Sequence, residues 1–244
     1  MTLREIARVL AASGFVAADE EAAELHDAAA GDEQRLWALV DRRLSGEPLA
    51  WIVGSAPFCE IRVRVDPGVY VPRPQTEVVA RRAAELLPAQ GAAIDVCTGS
   101  GAIAAWLTHE RPGARVLGVD LDERAVACAR ANGVEARAGD LLAPAPAELH
   151  GAVDVLVAVA PYVPHRDLAL LQRDTFTFET PLAYDGGDDG LELVRRIAAE
   201  APAWLRPGGA LLLELGADQV EAFAGAVVLR DEDGDVRGVE LRAG

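Results

Sequence analysis

The chain of 244 residues contains no lysine; all 23 of its Lys-plus-Arg positions are arginine. A Schiff-base lysine and a lysine general base are thereby excluded. Cysteine is scarce: Cys59, Cys97 and Cys128 stand far apart, without disulfide or zinc-site spacing, which suits a reducing cytoplasm. Basic charge is in deficit, 23 positions against 39 Asp and Glu, for a net charge of −16. Such acidity disfavours a sequence-independent grip on phosphate backbones, so nucleic acid is not an expected partner. No apolar run approaches the ~18 residues of a bilayer span, and Met1-Thr2-Leu3-Arg4-Glu5 carries no apolar leader. His109 and His150 have no metal-like partners, and no metal site is expected.

Apolar residues make up 51% of the chain, enough for a sizeable core. Three organisational units are expected: helices over 1–50, a β-hairpin linker over 51–70, and an α/β unit over 71–244. In the first, Leu3, Ile6, Ala7, Val9 and Leu10 recur at helical spacing. Ala17 to Ala29 forms a second helix, and Asp32 caps a third carrying Leu36, Leu39, Val40 and Leu44. In the second, Ile61, Val63 and Val65 alternate with Arg62, Arg64 and Asp66, and Trp51-Ile52-Val53 is the expected partner strand. A salt bridge between Glu47 and Arg73 is a candidate tie between the hairpin and the α/β unit.

Beyond residue 75, apolar strands at 92–97, 115–119, 134–138, 153–159, 210–215, 226–229 and 236–241 alternate with helices at 76–87, 102–109, 123–132, 191–205 and 218–223. The alternation predicts a mostly parallel sheet covered on both faces. A ligand then sits outside the carboxyl ends of the strands, at the point where strand order reverses.

Asp95-Val96-Cys97-Thr98-Gly99-Ser100-Gly101 follows the first of these strands and opens a helix. Glycines there let a ligand approach the backbone. Nineteen positions beyond Gly101, Asp120 ends the next strand, where a ribose hydroxyl pair needs an acceptor. Gly139-Asp140-Leu141 places another carboxylate after the third strand, suited to an adenine amino group. A turn-and-cap reading covers Gly99, Gly101 and Asp120 singly, but not the ordered set. Ala104 stands where a third glycine of a pyrophosphate loop would be, which favours S-adenosylmethionine (SAM) over a dinucleotide.

The most telling segment is Val153 to Val163, in which Val159-Ala160-Pro161-Tyr162 follows a strand. This frame resembles the Asn-Pro-Pro-Tyr signature of amino-methylating SAM enzymes. Several further stretches run in an order similar to the HemK/PrmC family of protein-glutamine methyltransferases. They are Gly46-Glu47-Pro48-Leu49, Val71-Pro72-Arg73-Pro74-Gln75-Thr76-Glu77, Phe178 to Leu191 and Leu205-Arg206-Pro207-Gly208-Gly209. The chain looks like a divergent, actinobacterial-type branch of that family.

The resemblance implies a class I, Rossmann-like SAM methyltransferase with a seven-stranded sheet, a small N-terminal helical domain and a β-hairpin linker. SAM is the implied cofactor and S-adenosylhomocysteine the product. Implied cofactor residues are Asp95, Cys97 (where the family has glycine), Thr98, Gly99, Gly101, Asp120, Leu121, Asp140 and Leu141. Arg73, Pro74, Thr76, Tyr162 and His165 are implied at the acceptor, and Val159, Ala160, Pro161 and Tyr162 at the reaction centre. The implied partner is a protein such as a peptide-chain release factor. Glu179 is a candidate for ordering the loop after Tyr162.

In the family, the Asn oxygen and a backbone carbonyl accept the two amide hydrogens of the glutamine. Val159 supplies no such acceptor. The alternatives are therefore glutamine methylation with fewer acceptors, a changed acceptor such as a carboxylate or small amine, or SAM binding without transfer.

Overall fold

Three amphipathic helices open the chain, α1 (Leu3–Ala12), α2 (Ala18–Ala29) and α3 (Glu33–Leu44), in the computed structural model, which describes residues 2–170, 178 and 183–244. Local chemistry sets two of the starts. Thr2 and Glu5 form a capping box on α1, and Asp32 accepts the Arg35 amide at 3.0 Å to begin α3. Ile6, Leu10, Leu25, Leu36 and Val40 meet in a separate apolar cluster that also takes in Ile52. Beside it the buried Arg43 pairs with Glu21 at 2.6 Å.

Trp51-Ile52-Val53 is helical, which corrects the expected strand. Pro48 leads into a short helix, α4 (Leu49–Val53), which Gly54 ends in the left-handed region at φ 82°. Burying Trp51 inside this turn lets its Nε1 donate to the Val69 carbonyl at 2.9 Å. The hairpin lies just after it, as β1 (Ser55–Phe58) and β2 (Ile61–Arg64), paired antiparallel with Phe58 opposite Ile61. Its two-residue loop holds Cys59 at φ 48°, the positive φ that such tight loops require. The Glu47–Arg73 tie is also corrected. Glu47 closes on Arg42, whose Nε reaches it at 2.8 Å from the last turn of α3, while Arg73 donates to the Tyr184 hydroxyl at 2.9 Å.

The remaining strands are β3 (Ala92–Val96), β4 (Arg115–Asp120), β5 (Glu135–Ala138), β6 (Val153–Ala158), β7 (Leu205–Glu214), β8 (Val227–Arg230) and β9 (Val236–Arg242). They form one seven-stranded sheet in the order β5-β4-β3-β6-β7-β9-β8, parallel except for β9, which runs antiparallel to β7 and β8. The predicted mostly parallel sheet is therefore present. Successive residues of the central strands face opposite cores, as a period of two requires. Ala93, Val155, Val157 and Leu212 pack with α5 (Glu77–Leu86) and α6 (Ala102–Glu110). Ile94, Val96, Leu156 and Leu213 pack with α8 (Glu192–Trp204) on the other face.

Helix α7 (Glu123–Ala131) links β4 to β5. The segment expected as a helix over 218–223 is a 3-10 turn, Ala217–Ala222. Strand order reverses between β3 and β6, so the crevice that this topology creates lies at their carboxyl ends.

Candidate functional site

The loop leaving β3 depends on left-handed backbone. Cys97 lies at φ 60° and Gly99 at φ 56°, and the former accounts for glycine at that position in the family pattern. A Cβ on Gly99 would meet nothing closer than Tyr70 Cβ at 3.9 Å, so bare backbone faces open space. Gly101 serves packing instead. Its absent Cβ would stand 2.8 Å from Ala129 Cβ, so a side chain would push α6 away from α7.

Two carboxylates hold this loop. Asp95 is buried, and its Oδ2 accepts from the Thr98 hydroxyl at 2.6 Å and from the Ala104 amide at 3.2 Å. Burial pushes its carboxyl up to about 7, against the pull of those two bonds. Asp120 accepts the Gly99 amide at 2.8 Å and the Asp122 amide at 2.9 Å, and burial raises it as well. Burial likewise holds the Cys97 thiol above its ordinary range, which keeps it from acting as a thiolate.

A cavity of about 870 Å³ opens at the switch point. It brings together the predicted Arg73, Thr76, Asp95, Cys97, Thr98, Gly99, Asp120 and Leu121 with Val159, Ala160, Pro161 and Tyr162. Leu121 presents an apolar side chain there that is 70% exposed. Gly101, Asp140, Leu141, Pro74 and His165 are not among the lining residues. The exposed Asp140 pairs at 2.6 Å with Arg196, which does line the cavity. Leu141 is buried, the exposed Pro74 begins a 3-10 turn, and the exposed His165 lies with Nδ1 3.1 Å from Asp185. Glu179 lies outside the described residues, as does the 179–182 part of the motif after Tyr162.

Beyond β6 the chain is stapled to a second segment. Val163 donates to the Tyr184 carbonyl at 2.9 Å, and Gly186 returns a bond to the Val163 carbonyl at 3.0 Å. The Tyr162 hydroxyl donates to Glu214 Oε1 at 3.0 Å. Burial first, and then the Glu214 charge, raise the Tyr162 phenol well above its ordinary value. Gln219 Nε2 donates to the Tyr162 carbonyl at 2.8 Å. Glu214 and Gln219 were not singled out from the sequence. The available signal was one carboxylate inside the apolar run Leu211-Leu212-Leu213-Glu214-Leu215.

The donor set fits SAM. A glycine-faced loop beside a carboxylate at a strand end suits a ribose, Leu121 offers a face for a base, and Ala104 stands where a dinucleotide loop would carry its third glycine. Among the described residues, no helix is long and apolar enough to cross a membrane, and no group of three or more His, Cys, Asp or Glu could hold a metal.

The methyltransferase small domain family matches residues 60–157. The chain is 43% identical over 210 residues to the release factor glutamine methyltransferase of Moorella thermoacetica, covering 82% of this chain and 71% of that protein. The protein of the same name from Streptomyces coelicolor is 38% identical, with 81% and 76% covered. A third relative is the 4-amino-L-phenylalanine/4-methylamino-L-phenylalanine methyltransferase of Streptomyces pristinaespiralis, 40% identical with 76% and 67% covered. Fold and kinship agree: this chain is a SAM-dependent methyltransferase belonging to the release factor glutamine methyltransferase family.

Proposed function

We propose that the protein methylates a glutamine side-chain amide in a protein acceptor, a peptide-chain release factor. The observation that carries this reading is one cavity shared by the Gly99–Asp120 loop and the Val159–Tyr162 segment, in a chain whose relatives bear that name. Bound SAM supplies a methyl group already activated on sulfur, so the chain need provide no nucleophile. Its residues bind and orient. Asp120 takes the ribose hydroxyls, Leu121 covers the adenine ring, and Asp95, Cys97, Thr98 and Gly99 line the methionine end. Asp140 takes the adenine edge through the carboxylate whose Oδ2 Arg196 holds. Arg73, Pro74, Thr76 and His165 flank the acceptor. The helical unit 1–50 and the linker 51–70 present it to the catalytic unit 71–244.

An amide nitrogen is a weak nucleophile because its lone pair is delocalised, so alignment carries the catalysis. Ala160 contributes a backbone carbonyl for one amide hydrogen, while Val159 contributes nothing for the other. The missing acceptor slows the reaction by roughly 10²- to 10³-fold relative to an Asn at that position.

The same Val159 favours a second reading. An aromatic amine does not need two acceptors, and a relative 40% identical is a 4-amino-L-phenylalanine/4-methylamino-L-phenylalanine methyltransferase. S-Adenosylhomocysteine release separates the two readings. Release stimulated by a peptide-chain release factor supports the first. Release stimulated only by 4-amino-L-phenylalanine replaces it with the second.

A further inference from the structure

We infer that Glu214 is a positioning residue for methyl transfer, acting through the Tyr162 hydroxyl to fix the wall of the acceptor site. It ends β7, is 4% exposed, and accepts from Tyr162 through Oε1 at 3.0 Å, while Oε2 has no hydrogen-bond partner among the described residues. The Thr76 hydroxyl, also buried, lies beside the same carboxylate without completing a bond of good geometry. The charge of Arg237 reaches it, but that guanidinium is engaged by Asp231 and by Asp235. A carboxylate at this depth is expensive to bury, since burial outweighs the neighbours that favour its charge, and Leu213 and Leu215 flank it in sequence. Folding alone therefore gives no reason for a glutamate here.

Position does give one. Tyr162 is held at two points from the same end of β7, by its hydroxyl on Glu214 and by its carbonyl on Gln219. Gln219 also donates to the Asp189 carbonyl at 3.3 Å, and its Oε1 accepts the Gly216 amide at 3.0 Å. Space closes the third side. A Cβ on Gly190 would stand 2.2 Å from the Tyr162 carbonyl oxygen. Pro161 and Tyr162 thus have little freedom as long as Glu214 keeps the ring in place.

This inference rests on the proposed glutamine reaction for its kinetic test, and a second readout needs no turnover. With a release factor as acceptor, Glu214→Leu is expected to lower kcat about 10- to 100-fold with little change in the KM for SAM, as misplacing a wall residue should. Glu214→Gln, which keeps an acceptor oxygen, should recover most of that loss. Tyr162→Phe should resemble Glu214→Leu, and the double variant should be no worse than the poorer single one. Additive losses, or wild-type kcat in Glu214→Leu, would overturn the inference.

The chain has only three tyrosines, so ring-labelled ¹³C-tyrosine resolves each signal, with Tyr162 assigned by its loss in Tyr162→Phe. In the SAM-bound protein, Glu214→Leu should shift the Tyr162 signal and leave Tyr70 and Tyr184 in place. A stationary Tyr162 signal would overturn the inference. Wild-type protein that methylates no release factor would refute only the proposed function, and the spectrum would still decide on Glu214.

Discussion

The Gly99 amide donates to the Asp120 carboxylate at 2.8 Å, joining the loop after β3 to the end of β4. One side chain thus shapes the glycine loop and lines the cavity. Replacing Asp120 with Ala removes a charged acceptor and frees the loop. SAM affinity measured by calorimetry is expected to fall roughly 10- to 100-fold. Unchanged affinity would place the ribose elsewhere.

Val159→Asn restores a side-chain acceptor immediately after β6. Glutamine methylation should accelerate by about 10²- to 10³-fold in kcat/KM. An unchanged rate on a release factor would show that the amide hydrogens find their acceptors without residue 159.

Asn132 bridges the hairpin to the glycine loop. Its Oδ1 accepts the Arg64 amide at 2.8 Å, and its Nδ2 donates to the carbonyls of Arg64 at 2.9 Å and Ser100 at 2.8 Å. Asn132→Ala leaves all three backbone groups without this partner. A loss of about 2 kcal/mol is expected in urea unfolding. A loss near zero would mean that water replaces the bridge.

Asp95 gives stability a definite pH dependence. Its folded value of about 7 lies above the ordinary carboxylate range, so the folded state holds the proton more tightly than the unfolded chain. The stability it contributes is full below about pH 4, declines as pH rises toward 7, and is gone above that. Relative to Asp95→Asn, which does not titrate, wild-type protein should lose on the order of a few kcal/mol between pH 5 and pH 8. Glu214, also raised by burial, titrates in both proteins and cancels in the comparison. A constant difference across this range would contradict the assignment.

The sheet was legible because long apolar runs with turn signals read the same way whatever surrounds them, as in Ala92–Val96 and Val153–Ala158. Trp51-Ile52-Val53 was misread because β-rich residues in a short run have no period. Pro48 and Gly54, which bound the helical turn, decided the outcome. At the site, Asp120 and Gly99 were legible from strand-end spacing. Gly101 shares that spacing, yet packs against Ala129, a contact between two helices that no local pattern records. Glu214 and Gln219 act on Tyr162 from 52 and 57 residues away. Only the parallel pairing of β6 with β7 brings them together.

The most direct test is the mass of a peptide-chain release factor after incubation with this protein and SAM, followed by fragmentation. Gain of one methyl group on a glutamine side-chain nitrogen is the expected result. An unchanged mass, with SAM binding demonstrated in the same preparation, would contradict glutamine methylation and turn the search to small-molecule amines.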